Sequence, residues 1–157
     1  MARPILQEYE AIFQDAGYQI GLVIPSSIAV LPLCEVGQKG MTLLAKSAGS
    51  IVSVVLAEEG RVRLVRCLDL EEEAQAPVRG REESVLPLVQ QTLAFAEDQL
   101  GQKVNRGILC GFEQDTEALR TQMQKEFGIP FSQLRSRYGL ALKGNAGVLG
   151  LLEQYAA

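Results

Sequence analysis

A five-stranded mixed α/β sheet flanked by helices is the fold this sequence predicts, and three observations predict it. Residues 41–70 hold three short apolar runs, 41–45, 51–57 and 62–70, broken at Ser47-Ala48-Gly49-Ser50 and at Glu58-Glu59-Gly60. Short β-branched runs joined by Gly-containing turns form antiparallel hairpins, so these three make a meander. Next come a long helical pattern, a buried apolar run, a second helix and a last short strand. From residue 41 the order is therefore β, β, β, α, β, α, β. Right-handed crossovers through the two helices then give the sheet order 3-2-1-4-5, with helices on its faces.

Each element has its own signal. Ile5, Leu6, Tyr9, Ile12, Phe13 and Ala16 fall at helical spacing and Gly17 follows as a stop, so residues 5–16 form one amphipathic helix. Residues 18–24, beginning at Tyr18 and ending at Ile24, read as a short strand. Pro25-Ser26-Ser27 then supplies a cap for a helix reaching Cys34 or Glu35, which Pro32 should kink or shorten. In the third meander strand Val62, Leu64, Leu68 and Leu70 share one parity and Arg61, Arg63 and Asp69 the other, as in a sheet with one buried face. Arg66 breaks that pattern, either as an end-of-sheet arginine with its head in water or as a charge facing a partner. Residues 71–81, with Glu71-Glu72-Glu73, Pro77 and Gly80, read as an exposed loop whose carboxylates are solvated rather than metal-binding. Residues 82–100 form the longest helix, apolar at Val85, Leu86, Leu88, Val89, Leu93, Phe95, Ala96 and Leu100 and closed by Gly101. Residues 104–111 are a buried strand, and Asp115 or Thr116 caps a helix ending at Phe127, before Gly128 and Pro130. Residues 129–134 are the last strand. A closing helix over 145–155 carries Val148, Leu149, Leu151 and Leu152 on or near one face.

Composition removes several functions. The 157 residues are 47% hydrophobic and 22% charged with a net charge of −4, and no basic patch is evident, which argues against nucleic acid. No histidine is present, so Ser-His and Cys-His nucleophile pairs and the commonest neutral metal ligand are all missing. Cys34, Cys67 and Cys110 are odd in number and lie in apolar sequence, as buried reduced thiols of a cytosolic protein do. The sequence shows no signal peptide, and its longest apolar stretch, residues 20–33, is too short and too interrupted by proline and serine to insert into a bilayer.

The element order is the ribonuclease H-like arrangement, and the residues resemble a family that uses it. Residues 8–17, EYEAIFQDAG, followed by Pro25-Ser26-Ser27-Ile28-Ala29, resemble the linker into the second half of the PilM-like proteins. These are actin-like cytoplasmic proteins of bacterial type IV pilus assembly. Phe95-Ala96-Glu97-Asp98-Gln99-Leu100-Gly101, Glu126-Phe127-Gly128-Ile129-Pro130 and the tail Gly139-Leu140-Ala141-Leu142-Lys143 with Ala146-Gly147-Val148-Leu149-Gly150 fit in order. The resemblance covers nearly the whole chain and implies a boundary. Residues 1–36 would be a linker helix, strand and helix bordering a missing first domain, and 37–157 a ribonuclease H-like, actin-type subdomain. An unpaired strand at 18–24 would pair with a second copy as a homodimer or pack as an irregular extension.

Two departures from the family shape the functional expectation. In actin-like ATPases the turn between the first two strands carries an acid near the metal, a glycine with open amides near the phosphates, and a hydroxyl. Here Lys46 stands for the acid, Ala48 for the glycine and Val52 for the hydroxyl, with Gly49 beside them. At the adenosine-side turn Gly111 is kept, but Phe112 puts a ring where backbone should approach the base, either as a stacking platform or as a core-edge aromatic. The expected protein is a non-catalytic scaffold of type IV pilus or related type II secretion machinery. It would have no catalytic residue, no metal and no cofactor. It would be cytoplasmic, peripheral at the inner membrane only through partners such as the cytoplasmic tail of an inner-membrane pilus protein. The alternative is half of a nucleotide-binding ATPase or sugar-kinase-like enzyme, using ATP and magnesium once an N-terminal domain completes it. A two-metal nuclease is disfavoured, because 41–45 contains no acid. Arg61 and Arg63, beside Glu58 and Glu59, offer a surface for a partner or a solvated face.

Overall fold

The meander forms because its turns are built for hairpins. In a computed structural model, which describes residues 3–34, 39–70, 85–112, 116–142 and 144–155, β1 (Met41–Ala48), β2 (Ile51–Glu58) and β3 (Arg61–Asp69) pair antiparallel. Ala48 pairs with Ile51 and Glu58 with Arg61, so each turn has two residues and β1 runs three residues beyond its apolar run. Glu59 and Gly60 both take positive φ, 48° and 76°, which is the turn whose twist matches that of the flanking strands. β4 (Val104–Cys110) joins β1 in parallel and β5 (Phe131–Gln133) joins β4, giving the order β3-β2-β1-β4-β5 expected from the sequence. Gly107 is required where those last strands meet, because a Cβ there would lie 2.1 Å from the Phe131 ring.

Helices cover both faces. On one, Leu43, Ala45, Val54 and Leu56 pack with Val85, Val89 and Ala96 of α4 (Val85–Leu100) and Met123 of α5 (Thr116–Phe127). On the other, Leu44, Val55 and Ile108 pack with Val30, Leu33 and Ala146. The helix α4 ends as predicted: Gly101 sits at φ 63° and the Gln102 amide donates to the Ala96 carbonyl at 3.0 Å. Arg106 of β4 donates to Thr42 Oγ1 at 3.0 Å and to the Cys34 carbonyl, tying the sheet to the end of a helix.

Several expectations need correction. The helix α1 (Arg3–Asp15) forms, but residues 18–24 make no strand; an isolated strand has no ladder to satisfy its backbone, and neither sheet edge accepts them. They are an irregular extension. The next helix divides into α2 (Ser26–Ala29) and α3 (Leu31–Cys34), because Pro32 has no N–H to carry the helical ladder onward. No side chain caps α2. In β3 the register slips between Leu56↔Leu64 and Ala57↔Val62, so Arg63 is the extra residue of a bulge. This turns Val62 to the opposite face from Leu64, where it is 42% exposed, and ends the simple alternation. Arg66 keeps its head at the exposed surface, where it rests on α4, 5.7 Å from the Phe95 ring centre and within 3.5 Å of Gln91 Oε1. Cys67 is exposed, unlike Cys34 and Cys110, and none of the three is in a disulfide.

A hairpin not foreseen, β6 (Arg135–Ser136) with β7 (Gly139–Leu140), precedes α6 (Ala146–Tyr155). The contact face of α6 is made of small residues, Ala146 and Gly150, while Val148 and Leu152 are 59% and 43% exposed. A Cβ on Gly150 would lie 2.0 Å from the Ala29 carbonyl oxygen, so close approach to α2 selects glycine and pushes the large side chains to the rim. The loop expected over 71–81, with Glu71, Glu72 and Glu73, lies outside the described residues, as do 82–84 of the long helix and Asp115.

Candidate functional site

The carboxyl ends of parallel strands are where open α/β sheets place their chemistry, and here β1 and β4 end side by side with Lys46 opposite Cys110. Lys46 lies within β1 rather than in the turn, and is 2% exposed. Its Nζ donates to Ser26 Oγ at 3.0 Å, fastening the start of α2 to the sheet. A buried ammonium needs such a partner, since an unpaired charge away from water is costly. Beside it the Cys110 Sγ donates to the Ala141 carbonyl at 3.7 Å. Burial pushes the Cys110 thiol up to about 11, with the Lys46 ammonium pulling it partly back, so this thiol is protonated and unreactive at neutral pH.

The remaining sequence-predicted positions are scattered. Ala48 and Gly49 are exposed at the hairpin tip, with Gly49 at φ 66°. Val52 is fully buried in the core on the α4 side of the sheet, the face opposite Lys46. Gly111, at φ 78°, turns the chain at the end of β4 and delivers Phe112 into that same core, 9% exposed, which matches the core-edge reading of the ring. Lys46 thus meets Cys110 and Ser26, not Val52 or Phe112. Sequence reasoning missed Ser26 in this role, reading it as a helix cap. Its hydroxyl instead accepts from a lysine 20 residues later, a contact that no local signal reveals. Among the described residues no group of three Cys, Asp or Glu side chains could hold a metal ion. Arg63, offered as a surface charge, pairs with Glu58 at 2.8 Å.

A second feature is apolar. None of the residues of α1 is buried, and Leu6, Tyr9 and Phe13 border an open groove of about 460 Å³ with Leu22, Val23 and Leu151. Of the large apolar side chains exposed among the described residues, most lie on α1, the 18–24 extension and α6.

No protein-family model matches the sequence, and no curated protein matches it either. Solved structures do. A chain of the PilM-PilN type IV pilus biogenesis complex superimposes with a TM-score of 0.71 at 15% identity, over 96% of this chain and 57% of that one. The chain has a PilM-like, actin-like fold. The ethanolamine utilization protein EutJ from Carboxydothermus hydrogenoformans matches at TM-score 0.55 and 10% identity, over 96% of this chain and 62% of that one. The Alp12 filament structure matches at TM-score 0.55 and 10% identity, over 83% and 52%. The chain therefore spans between half and two thirds of the length of these three structures. No helix among its described residues is long and apolar enough to cross a membrane.

Proposed function

We propose that the chain is a non-catalytic assembly module of PilM-like type, serving type IV pilus or related type II secretion machinery, with nucleotide-binding turns that have lost their chemistry. The observation that carries this reading is Lys46, buried and committed to Ser26 at the position where an actin-like ATPase needs an acid. An ammonium there repels a magnesium ion rather than holding one, and Val52 offers no hydroxyl from within the opposite core. The donor set does not fit a magnesium nucleotide, so no catalytic step is derived through one. Likeness to a chain of the PilM-PilN type IV pilus biogenesis complex supports a protein partner. The cytoplasmic tail of an inner-membrane pilus protein is the partner this reading names, with the module cytoplasmic and peripheral through that contact.

The test is a change of charge at the decisive position. The Lys46→Asp variant restores the acid without the glycine or the hydroxyl, so it is expected to show no ATP turnover above the parent chain. Magnesium-dependent turnover in that variant would overturn the reading in favour of half of an actin-like ATPase or sugar-kinase-like enzyme.

A further inference from the structure

Burial changes abruptly near the start of the chain. From Arg3 to Ser26 no residue is buried, whereas Ser27, Ala29, Val30, Leu31, Leu33 and Cys34 all are. What α1 touches belongs mainly to its own stretch of sequence. Gly17, at φ 83°, ends the helix with the Tyr18 amide donating to the Phe13 carbonyl at 2.9 Å, and the chain turns back. Leu6 and Phe13 then line the groove together with Ile20 and Ile24, and among the described residues lining it only Leu151 of α6 comes from beyond Ile24. Helix and return segment therefore close chiefly on each other.

The residues that follow are fastened to the domain instead. Ser26 accepts from Lys46, Gly150 sits against the Ala29 backbone, and the Cys34 carbonyl accepts from Arg106. Lifting 3–24 away from α6 uncovers little apolar area that the domain shares with it, so it requires far less free energy than unfolding the sheet and its helices. A helix of 13 residues is marginal once detached, so α1 melts as it leaves. We propose that residues 3–24 form a strap that closes against α6 at Leu151 and opens about Pro25, while the domain from Ser26 onward stays folded. Opening bares Leu151 and dissolves the groove, which is therefore a property of the closed state alone. A ligand of the groove would shift the strap toward closure.

Native-state hydrogen exchange on the full chain, read residue by residue, tests this. The amides of Ile12 and Phe13 in α1 are expected to exchange about a hundredfold or more faster than those of Val89 and Leu93 in α4, at a rate that low urea leaves unchanged. Two variants separate the strap from the domain. Phe13→Asp should erase the remaining protection of α1 while moving the thermal midpoint by no more than about 2 °C. Leu33→Ala, in the buried stretch just beyond the strap, should lower the midpoint by about 5 °C or more and leave exchange in α1 as it was. Amides of α1 exchanging as slowly as those of α4 would overturn the proposal. So would a fall in midpoint for Phe13→Asp as large as that for Leu33→Ala, because 3–24 would then fold and unfold with the domain.

Discussion

At Lys46 one hydrogen bond links a charge buried in the sheet to a serine at the domain surface, and the two partners have unequal costs of removal. Ser26→Ala leaves the ammonium buried without its acceptor and is expected to lower stability by about 1–3 kcal/mol. Lys46→Met removes the charge along with its need for a partner and keeps the packing volume, so it is expected to cost less than Ser26→Ala, or to stabilise. Urea unfolding of both variants checks the order; a larger loss for Lys46→Met would mean that the lysine contributes through something other than this pairing. Cys110 gives a pH dependence. Its folded value of about 11 lies above its ordinary 9.0, so above pH 9 the unfolded chain releases a proton that the folded chain keeps. Stability present below that point is lost as pH rises through 9 to 11, by roughly 2 kcal/mol. Unfolding of the parent and of Cys110→Ala should show the parent losing stability more steeply across that window; parallel curves would count against burial as the cause. Neither pair was legible beforehand. Lys46 was visible as the wrong residue for an ATPase, but Ser26 and Cys110 reach it from residues 20 back and 64 on, through the tertiary fold.

The elements show where local pattern suffices and where it does not. The meander, α4 with its Gly101 stop and α5 before Gly128 follow from apolar spacing and turn chemistry, which act over a few residues. The extension at 18–24 has strand-like residues and no strand, because strand formation depends on a neighbour that the sequence of the segment does not specify. In β3 the bulge at Arg63 defeats parity, since one inserted residue exchanges the faces of everything beyond it. The helix α6 was read by its leucines and valine, whereas its packing is set by Gly150 beneath Ala29. Gly150→Ala therefore forces α6 away from α2 and is expected to cost about 1–3 kcal/mol. Thermal unfolding measures it; an unchanged midpoint would show that α6 has room to shift.

The whole molecule was legible in its connectivity. Three strands in a row followed by two helix crossovers leave little choice but the order β3-β2-β1-β4-β5, and chain chirality supplies the rest. The site was legible only as a set of substitutions, because what Lys46 does depends on which elements surround it. Resemblance in the sequence and superposition of the fold converge on the PilM-like arrangement, over a chain that spans 57% of the matched chain of the PilM-PilN complex. The central claim is that this arrangement is kept for assembly while the nucleotide chemistry is gone. Isothermal titration calorimetry of ATP with magnesium into this chain tests it most directly. No saturable heat is the predicted result; a one-to-one binding isotherm that chelation of magnesium removes would contradict the account.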